Sequence, residues 1–437
     1  MTIDILQKYG QNVLAVDDTG HKITYGEMLR EIDKTEVLSF RPLVFLLCQN
    51  KLWSLRAYVT CLAKNWVTVM LDASIDEELL NKLIKIYKPN ILWDENGLHL
   101  QNENQITLYG DLSILLTTSG STGSPKLVRL SYENIWSNAG AISEYLEITE
   151  NERPVLALPM YYSFGLSVIN SHLLKGATIL LTDKSLMQKE FWNYIKEYRA
   201  TSLSGVPYTY EMLNRLRFTR MDLPDLKTLC QAGGKLNDKL IEVFAVYAKE
   251  QNKRFFVMYG QTEATARMSY LPYNKTLNKI GSVGIAIPGG KFSIADDSEL
   301  VYEGKNVSLG YAENVFDLSE GDENKGVLFT GDLAKKDDEG YIYITGRKKR
   351  FIKLFGNRVS LDAAEDLVKV IYLNSACVGV DDRMTIFITD TSKTDEVKTY
   401  ITHKLGIHSS AFQVKVIEQI PKNNAGKILY SELQCQI

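Results

Sequence analysis

Ten consecutive residues, Thr117-Thr118-Ser119-Gly120-Ser121-Thr122-Gly123-Ser124-Pro125-Lys126, carry the strongest chemical signal in the sequence. Glycines let a backbone come close to an anion with its N–H groups turned inward, Ser and Thr hydroxyls add donors, and the lysine supplies charge. Such a stretch suits the phosphates of a nucleotide. Its spacing is not the G-x-x-x-x-G-K-[ST] of a Walker A loop, so an ordinary P-loop nucleoside triphosphatase is disfavoured.

A phosphate loop has to be held by rigid elements, and the flanking sequence supplies them. Ser113 to Thr117 (SILLT) reads as a strand, and beyond the loop Ile135, Ala139, Ile142 and Leu146 fall at helical spacing. The same order recurs from Leu226 (LKTLC) through Gly233-Gly234 into a helix with Leu240, Val243, Phe244 and Tyr247 on one face. Phe255 to Met258 (FFVM) forms a further strand that runs into Tyr259-Gly260. Short apolar runs alternating with helical segments predict an α/β fold with largely parallel sheets, in which ligands bind where strands end.

Composition narrows the function. The chain has 437 residues, enough for two or three domains at roughly 150 residues each. With 45% hydrophobic and 24% charged residues it reads as an ordinary globular protein, not a disordered or membrane-spanning one. A net charge of −3 gives no electrostatic footprint for nucleic acid, and no charge-driven partner is implied. The five cysteines are scattered, with no CxxC pair, so neither a disulfide framework nor a zinc knuckle is indicated. No leader-like N-terminus and no apolar run of about 18 residues appears, which with the cysteine usage predicts a cytoplasmic protein without a membrane partner. Charge is uneven along the chain: residues 346–437 hold 14 Lys/Arg and 10 Asp/Glu, a net of +4, which leaves −7 for residues 1–345.

The run TTSGSTGSPKLV resembles the phosphate-binding signature of the adenylate-forming superfamily, which includes acyl-CoA synthetases, non-ribosomal adenylation domains and luciferases. Further signatures follow in that superfamily's order: Tyr259-Gly260-Gln261-Thr262-Glu263, Phe329-Thr330-Gly331-Asp332, Gly346-Arg347, and Pro421-Lys422-Asn423-Asn424-Ala425-Gly426-Lys427. Weaker matches lie at Ile23 to Glu27 and from Leu62 to Asp72. The resemblance implies a large multi-sheet N-terminal domain with parallel βα units over residues 1–345. A small mobile α+β C-terminal domain over 346–437 would turn about a hinge at Lys349.

The same resemblance implies roles. Activating an acid requires its carboxylate to attack the α-phosphorus of ATP, so cations and N–H donors must be arranged beforehand around crowded oxyanions. Thr118, Ser119, Gly120, Ser121, Thr122, Gly123 and Lys126 would hold the β/γ-phosphates, Thr262 the α-phosphate, and Glu263 a Mg²⁺ ion. Asp332 would accept the ribose hydroxyls, with Arg347 beside it. Adenine would lie against Gln231 to Gly234 and Tyr259, with Gly260 and Gln261 completing that turn. Lys427 would bridge the substrate carboxylate and the α-phosphate. Gly356 would line the channel for a thiol, either coenzyme A or the phosphopantetheine of a separate acyl carrier protein.

The acid pocket falls on Tyr162, Phe164, Gly165, Val206, Ala232 and Gly233. Amino-acid-activating relatives carry an aspartate after the phenylalanine, where this chain has Gly165, so an uncharged acyl or aryl acid is favoured over an α-amino acid. Two departures bear on the thiol step: Leu361, Asp362 and Ala363 stand where the superfamily has Pro-x-Glu, and Arg350 replaces the aspartate that follows the hinge. The function implied is ATP-dependent formation of an acyl-AMP followed by transfer to a thiol. A non-catalytic nucleotide-binding or scaffolding protein of the same fold is the alternative.

Overall fold

The computed structural model describes residues 1–35, 38–117, 126–348, 350–354, 357–405, 407–423 and 426–437. The expected phosphate-binding residues Thr118, Ser119, Gly120, Ser121, Thr122 and Gly123, the hinge residue Lys349 and the channel residue Gly356 lie outside them. The described chain divides into two compact units. One comprises Met1–Phe292 with Tyr302–Leu328, the other Ser293–Val301 with Phe329–Ile437.

The first unit is mixed α/β, as expected. Its larger sheet has the order Ile285–Ala286, Ser269–Leu271, Arg254–Tyr259, Thr228–Gln231, Ser202–Gly205, Pro154–Leu156, Ile179–Leu181, Val13–Asp17, Lys22–Thr24. From Thr228–Gln231 and Arg254–Tyr259 outward to Val13–Asp17, neighbouring strands pair in parallel. A second sheet runs Gly310–Ala312, Leu127–Ser131, Leu112–Thr117, Val67–Asp72, Leu43–Cys48, Ile91–Asp94, Gly97–Leu100. Leu43–Cys48 and Val67–Asp72 are buried almost throughout, the pattern of strands covered on both faces.

The segment after the expected phosphate loop differs from the strand–loop–helix reading. Leu127–Ser131 is itself a strand, antiparallel to Leu112–Thr117, before the helix Tyr132–Tyr145 begins. Its sequence, LVRLS, hides the fact because Arg129 is fully buried. Arg129 Nε donates to the carbonyl of Tyr311 at 2.9 Å, Nη2 to Glu323 at 2.6 Å and to the carbonyl of Leu309 at 3.2 Å, and Nη1 to the carbonyl of Glu320. A charge so fully hydrogen-bonded can enter a sheet that an unpaired one would disrupt. On the helix Asp238–Glu250 the apolar face is Leu240, Ile241, Phe244, Ala245, Tyr247 and Ala248, whereas Val243, expected there, is 40% exposed.

A four-stranded sheet, Lys291–Ile294, Glu299–Glu303, Val327–Lys336, Ile342–Arg347, contains the points where the chain passes from one unit to the other. Further along, the hairpin Phe351–Leu354 with Asn357–Ser360 precedes the helix Leu361–Ile371. Ser375–Val380 pairs antiparallel with Arg383–Ile388, and Phe412–Val416 pairs parallel to the latter. Val368, Ile386, Ile401 and Phe412 share a core beneath this sheet. Among the described residues no helix is long and apolar enough to cross a membrane.

Candidate active site

Strands Thr228–Gln231 and Arg254–Tyr259 lie side by side in parallel, with Gln231 opposite Val257. The two motifs that follow them, Ala232-Gly233-Gly234 and Gly260-Gln261-Thr262-Glu263, therefore leave the sheet at the same end, the end at which open α/β sheets bind ligands. Glycine is required in both. A Cβ on Gly260 would lie 1.6 Å from the carbonyl oxygen of Ala266, and Gly233 has φ +83 with the Tyr162 hydroxyl and Val206 Cγ1 within 3.0 Å of where a Cβ would be. That packing draws Tyr162, Val206 and Gly233 into one wall. Gln231 is buried and fixes the turn by donating to the carbonyl of Gly234 at 2.9 Å.

Thr262 is buried, with its hydroxyl 3.2 Å from that of Ser163, the first residue of the helix Ser163–Leu173. Phe164 follows on that helix and meets Tyr162 edge-on, ring centroids 6.4 Å apart. Asn50 holds the approach to this helix, donating to the carbonyls of Leu156 and Leu158 at 3.0 Å and accepting from Met160 N at 3.1 Å. Gly165 has a steric reason of its own: a Cβ there would fall 2.2 Å from the carbonyl oxygen of Pro159. An aspartate at that position is incompatible with this backbone. Ala232 is buried in the same region, beside Gly233 and Gly234.

Glu263 is half-buried, and its Oε1 accepts a hydrogen bond from the Tyr311 hydroxyl at 2.9 Å. Lys126 Nζ lies 3.7 Å from the centroid of the Tyr311 ring and 3.6 Å from Glu313. Burial, with Glu263 adding to it, pushes the Tyr311 hydroxyl above its ordinary range, so it stays a donor at neutral pH. Tyr311 thus joins the cation after the phosphate loop to the carboxylate of Tyr259–Glu263. Sequence reasoning missed it. Its strand, Gly310–Ala312, reaches this place by pairing antiparallel with Leu127–Ser131, a long-range contact without a local signal. Gln261 Nε2 lies 3.4 Å from the Tyr259 hydroxyl, which completes the turn.

In the second unit, Asp332 and Arg347 are directly opposite in an antiparallel pair, with Arg347 Nε 3.4 Å from Asp332 Oδ1. Asp332 is 5% exposed and Arg347 largely exposed. Gly331, at φ +72 within the strand Val327–Lys336, departs from the extended backbone just before Asp332, and its N–H donates to Glu299 at 2.9 Å. Lys348 Nζ closes this corner, 2.7 Å from both Asp297 and Glu299. Lys427 sits on a tight turn: its N–H donates to Asn423 Oδ1 at 2.9 Å, its carbonyl accepts from Asn423 N at 2.9 Å, and Gly426 has φ +75.

The donor set suits a hard divalent cation. Glu263 offers carboxylate oxygen, and among the described residues no group of three His, Cys, Asp or Glu could hold a metal alone. One carboxylate plus phosphate oxygens is the usual arrangement for Mg²⁺ with a nucleotide. If Glu263 holds it, Tyr311→Phe should raise the Mg²⁺ concentration needed for half-maximal activity roughly 10- to 100-fold, the value of a hydrogen bond to a charged group. The ring, and with it the Lys126 contact, is retained. A magnesium titration checks this, and an unchanged midpoint would show that Tyr311 does not position Glu263.

The chain is similar to known proteins in sequence and in fold. The family described as AMP-binding enzyme matches residues 82–312. Among curated relatives, a 2-succinylbenzoate–CoA ligase of Listeria monocytogenes is 26% identical over 329 residues, covering 73% of this chain and 69% of its own. A long-chain fatty-acid–CoA ligase of Escherichia coli is 29% identical over 369 residues, covering 78% and 64%. Among solved structures, the AMP complex of o-succinylbenzoate coenzyme A synthetase from Bacillus subtilis superposes with a TM-score of 0.81 at 20% identity, covering 98% of each chain. ATP-bound MatB from Rhodopseudomonas palustris gives 0.79 at 18% identity, covering 100% and 99%. With more than half of its length matched by the family, this chain belongs to the AMP-binding enzymes.

Proposed function

We propose that the chain is an AMP-forming acid–thiol ligase. ATP and a carboxylic acid give acyl-AMP and pyrophosphate, and a thiol then takes the acyl group. The observation that carries this reading is the grouping of Thr262, Glu263, Tyr311 and Lys126, a hydroxyl, a carboxylate and a cation tied together where the two motif-bearing strands end. Relatives named as CoA ligases support coenzyme A as the acceptor. A separate carrier protein is the second acceptor to test.

In the first step the acid's carboxylate attacks the α-phosphorus, and the P–O bond to pyrophosphate breaks. Thr262 binds an α-phosphate oxygen, the Thr118–Gly123 segment and Lys126 hold the β- and γ-phosphates, and Lys427 neutralises the carboxylate and α-phosphate as charge builds between them. Bound Mg²⁺ would lower the charge of the phosphates and of the departing pyrophosphate. Glu263 is the residue to hold it. Asp332 takes the ribose hydroxyls, and the contact with Arg347 orients its carboxylate. In the second step the thiol sulfur attacks the acyl carbon, AMP leaves, and the thiol proton is released. Tyr162, Phe164, Val206 and Ala232 line the acyl group, and adenine lies against Gly233, Gly234 and Tyr259.

We further propose that residues 346–437 turn between the two steps about Lys349. In the sequence that residue lies between the strand Ile342–Arg347 and the strand Phe351–Leu354.

Acid-dependent exchange of labelled pyrophosphate into ATP, with Mg²⁺ and no thiol, tests the first step across short-chain, long-chain, aromatic and amino acids. Exchange with at least one class of non-amino acid is expected. No exchange with any acid, with ATP binding retained, would favour a non-catalytic nucleotide-binding role instead. Addition of coenzyme A, or of a carrier protein bearing phosphopantetheine, then identifies the acceptor.

A further inference from the structure

Arg267 is among the largest fully buried side chains, 2% exposed, and it follows closely on Tyr259–Glu263. A guanidinium has five N–H donors to satisfy. Nε donates to the Ser167 hydroxyl at 3.2 Å, and Nη1 to the Tyr145 hydroxyl at 3.1 Å and to Met258 Sδ at 3.3 Å. Among the described residues Nη2 has no hydrogen bond and is not fully enclosed, and no carboxylate pairs with the group. Its neighbours do not supply the missing charge. Burial pushes the Tyr145 hydroxyl up to about 12, so it stays protonated, and burial with Arg267 nearby pushes His172 down to about 4, so it is neutral at pH 7. A buried cation with only neutral partners gives up its hydration without the compensation an ion pair offers.

The surroundings of Arg267 are those of the acyl wall. Its guanidinium carbon lies 4.9 Å from the centroid of the Phe164 ring, and Phe164 in turn contacts Tyr162. Ser167 is on the same helix as Phe164, and Met258 immediately precedes Tyr259-Gly260. The carboxylate that reacts has to stay near Thr262 and keep its nucleophilicity. Lys427 already serves that carboxylate in the proposed mechanism, so the charge of Arg267 is better matched to the other end of the acid.

We infer that Arg267 selects substrates by pairing with a second carboxylate, so that the preferred acid is a dicarboxylic acid whose chain runs along Tyr162 and Phe164. The planar fork of Arg267 matches a carboxylate in geometry as well as in charge. The inference rests on the acid-activating reading above, and it replaces the expectation of an uncharged acid with one that is anionic at both ends.

The test is pyrophosphate exchange by the full chain with matched pairs: succinate against butyrate, pimelate against heptanoate, phthalate against benzoate. In at least one pair the diacid should have a kcat/KM at least tenfold above its partner. In Arg267→Met that diacid-to-monoacid ratio should fall roughly 100-fold, mainly through KM, as expected for loss of one partner of a desolvated charge pair. Arg267→Lys, which keeps the charge but not the fork, should raise the diacid KM roughly tenfold. If Arg267→Met does not fold, the lysine variant decides, and an unchanged diacid KM overturns the proposal. Equal or better exchange with the monoacids in wild type also overturns it, while leaving acid activation in place. No exchange with any acid overturns both.

Discussion

Lys427→Ala should lower acid-dependent pyrophosphate exchange by roughly 10²- to 10³-fold, the usual loss when one preorganised charge is removed from a transition state that develops negative charge. Thioester formation from supplied acyl-AMP should persist at near the wild-type rate, because the acyl carbon is already activated and no phosphorus is attacked. The turn that presents Lys427 is held by the backbone and the side chain of Asn423 and by Gly426, and none of these depends on the lysine side chain. Thioester formation retained by the same variant would separate a loss of chemistry from a loss of folding. Single-turnover assays of the two steps decide the matter: equal loss in both, or equal retention, would remove Lys427 from its role.

The chain's chemistry was most legible where the functional groups are close in sequence. Tyr259 to Glu263, where a strand ends, and Thr330 to Asp332, within the strand Val327–Lys336, are short stretches whose glycines and hydroxyls are set by local backbone needs, and they appear in the sequence as compact motifs. The α/β class was legible for a similar reason, since buried parallel strands leave continuous apolar runs such as Leu43–Cys48. What was not legible depends on partners far along the chain. Tyr311 meets Glu263 across 48 positions, and Arg129 is neutralised in its strand by groups 180 to 194 positions away. Arg267 resembles any charged residue of a loop until its burial against Tyr145, 122 positions distant, is seen. The second charge proposed for the acid has no local signal, because the residues expected to line the pocket, Tyr162, Phe164, Gly165, Val206, Ala232 and Gly233, are all uncharged.

The departures beside the hinge acquire a physical meaning in the second unit. Arg350 is directed into a cluster with Asp362 at 3.0 Å and Glu365 at 3.4 Å, its guanidinium carbon 3.7 Å from the centroid of the Tyr430 ring. Glu365, fully enclosed, also accepts from Lys369 at 2.5 Å, from the Tyr430 hydroxyl at 2.9 Å and from Cys377 N at 3.0 Å. Arg350 follows Lys349, the proposed hinge, and Tyr430 lies three positions after Lys427, so one carboxylate anchors both segments on which the proposed mechanism depends.

Glu365→Ala should accordingly destabilise the chain by about 3–5 kcal/mol, the loss when the buried partner of an ion-pair network is removed, Lys369 losing its contact and Arg350 keeping only Asp362. Equilibrium urea unfolding of the full chain measures it. Glu365→Gln separates charge from packing: it keeps the side chain's size and one acceptor but not the ion pairs, and it should recover only part of the loss. The sign of the pH dependence follows from the carboxyl's shift. Burial raises its affinity for protons, but Lys369 and Arg350 outweigh burial and hold it below the usual carboxylate range. Its contribution is thus complete above the unfolded value of about 4.3 and fades as the pH falls through the lower folded value. The stability gap between wild type and Glu365→Gln should be constant from neutral pH down to about pH 5 and close below pH 4. A gap that widened in acid would mean that the carboxyl is protonated in the folded chain and that Arg350 and Lys369 are held by other groups.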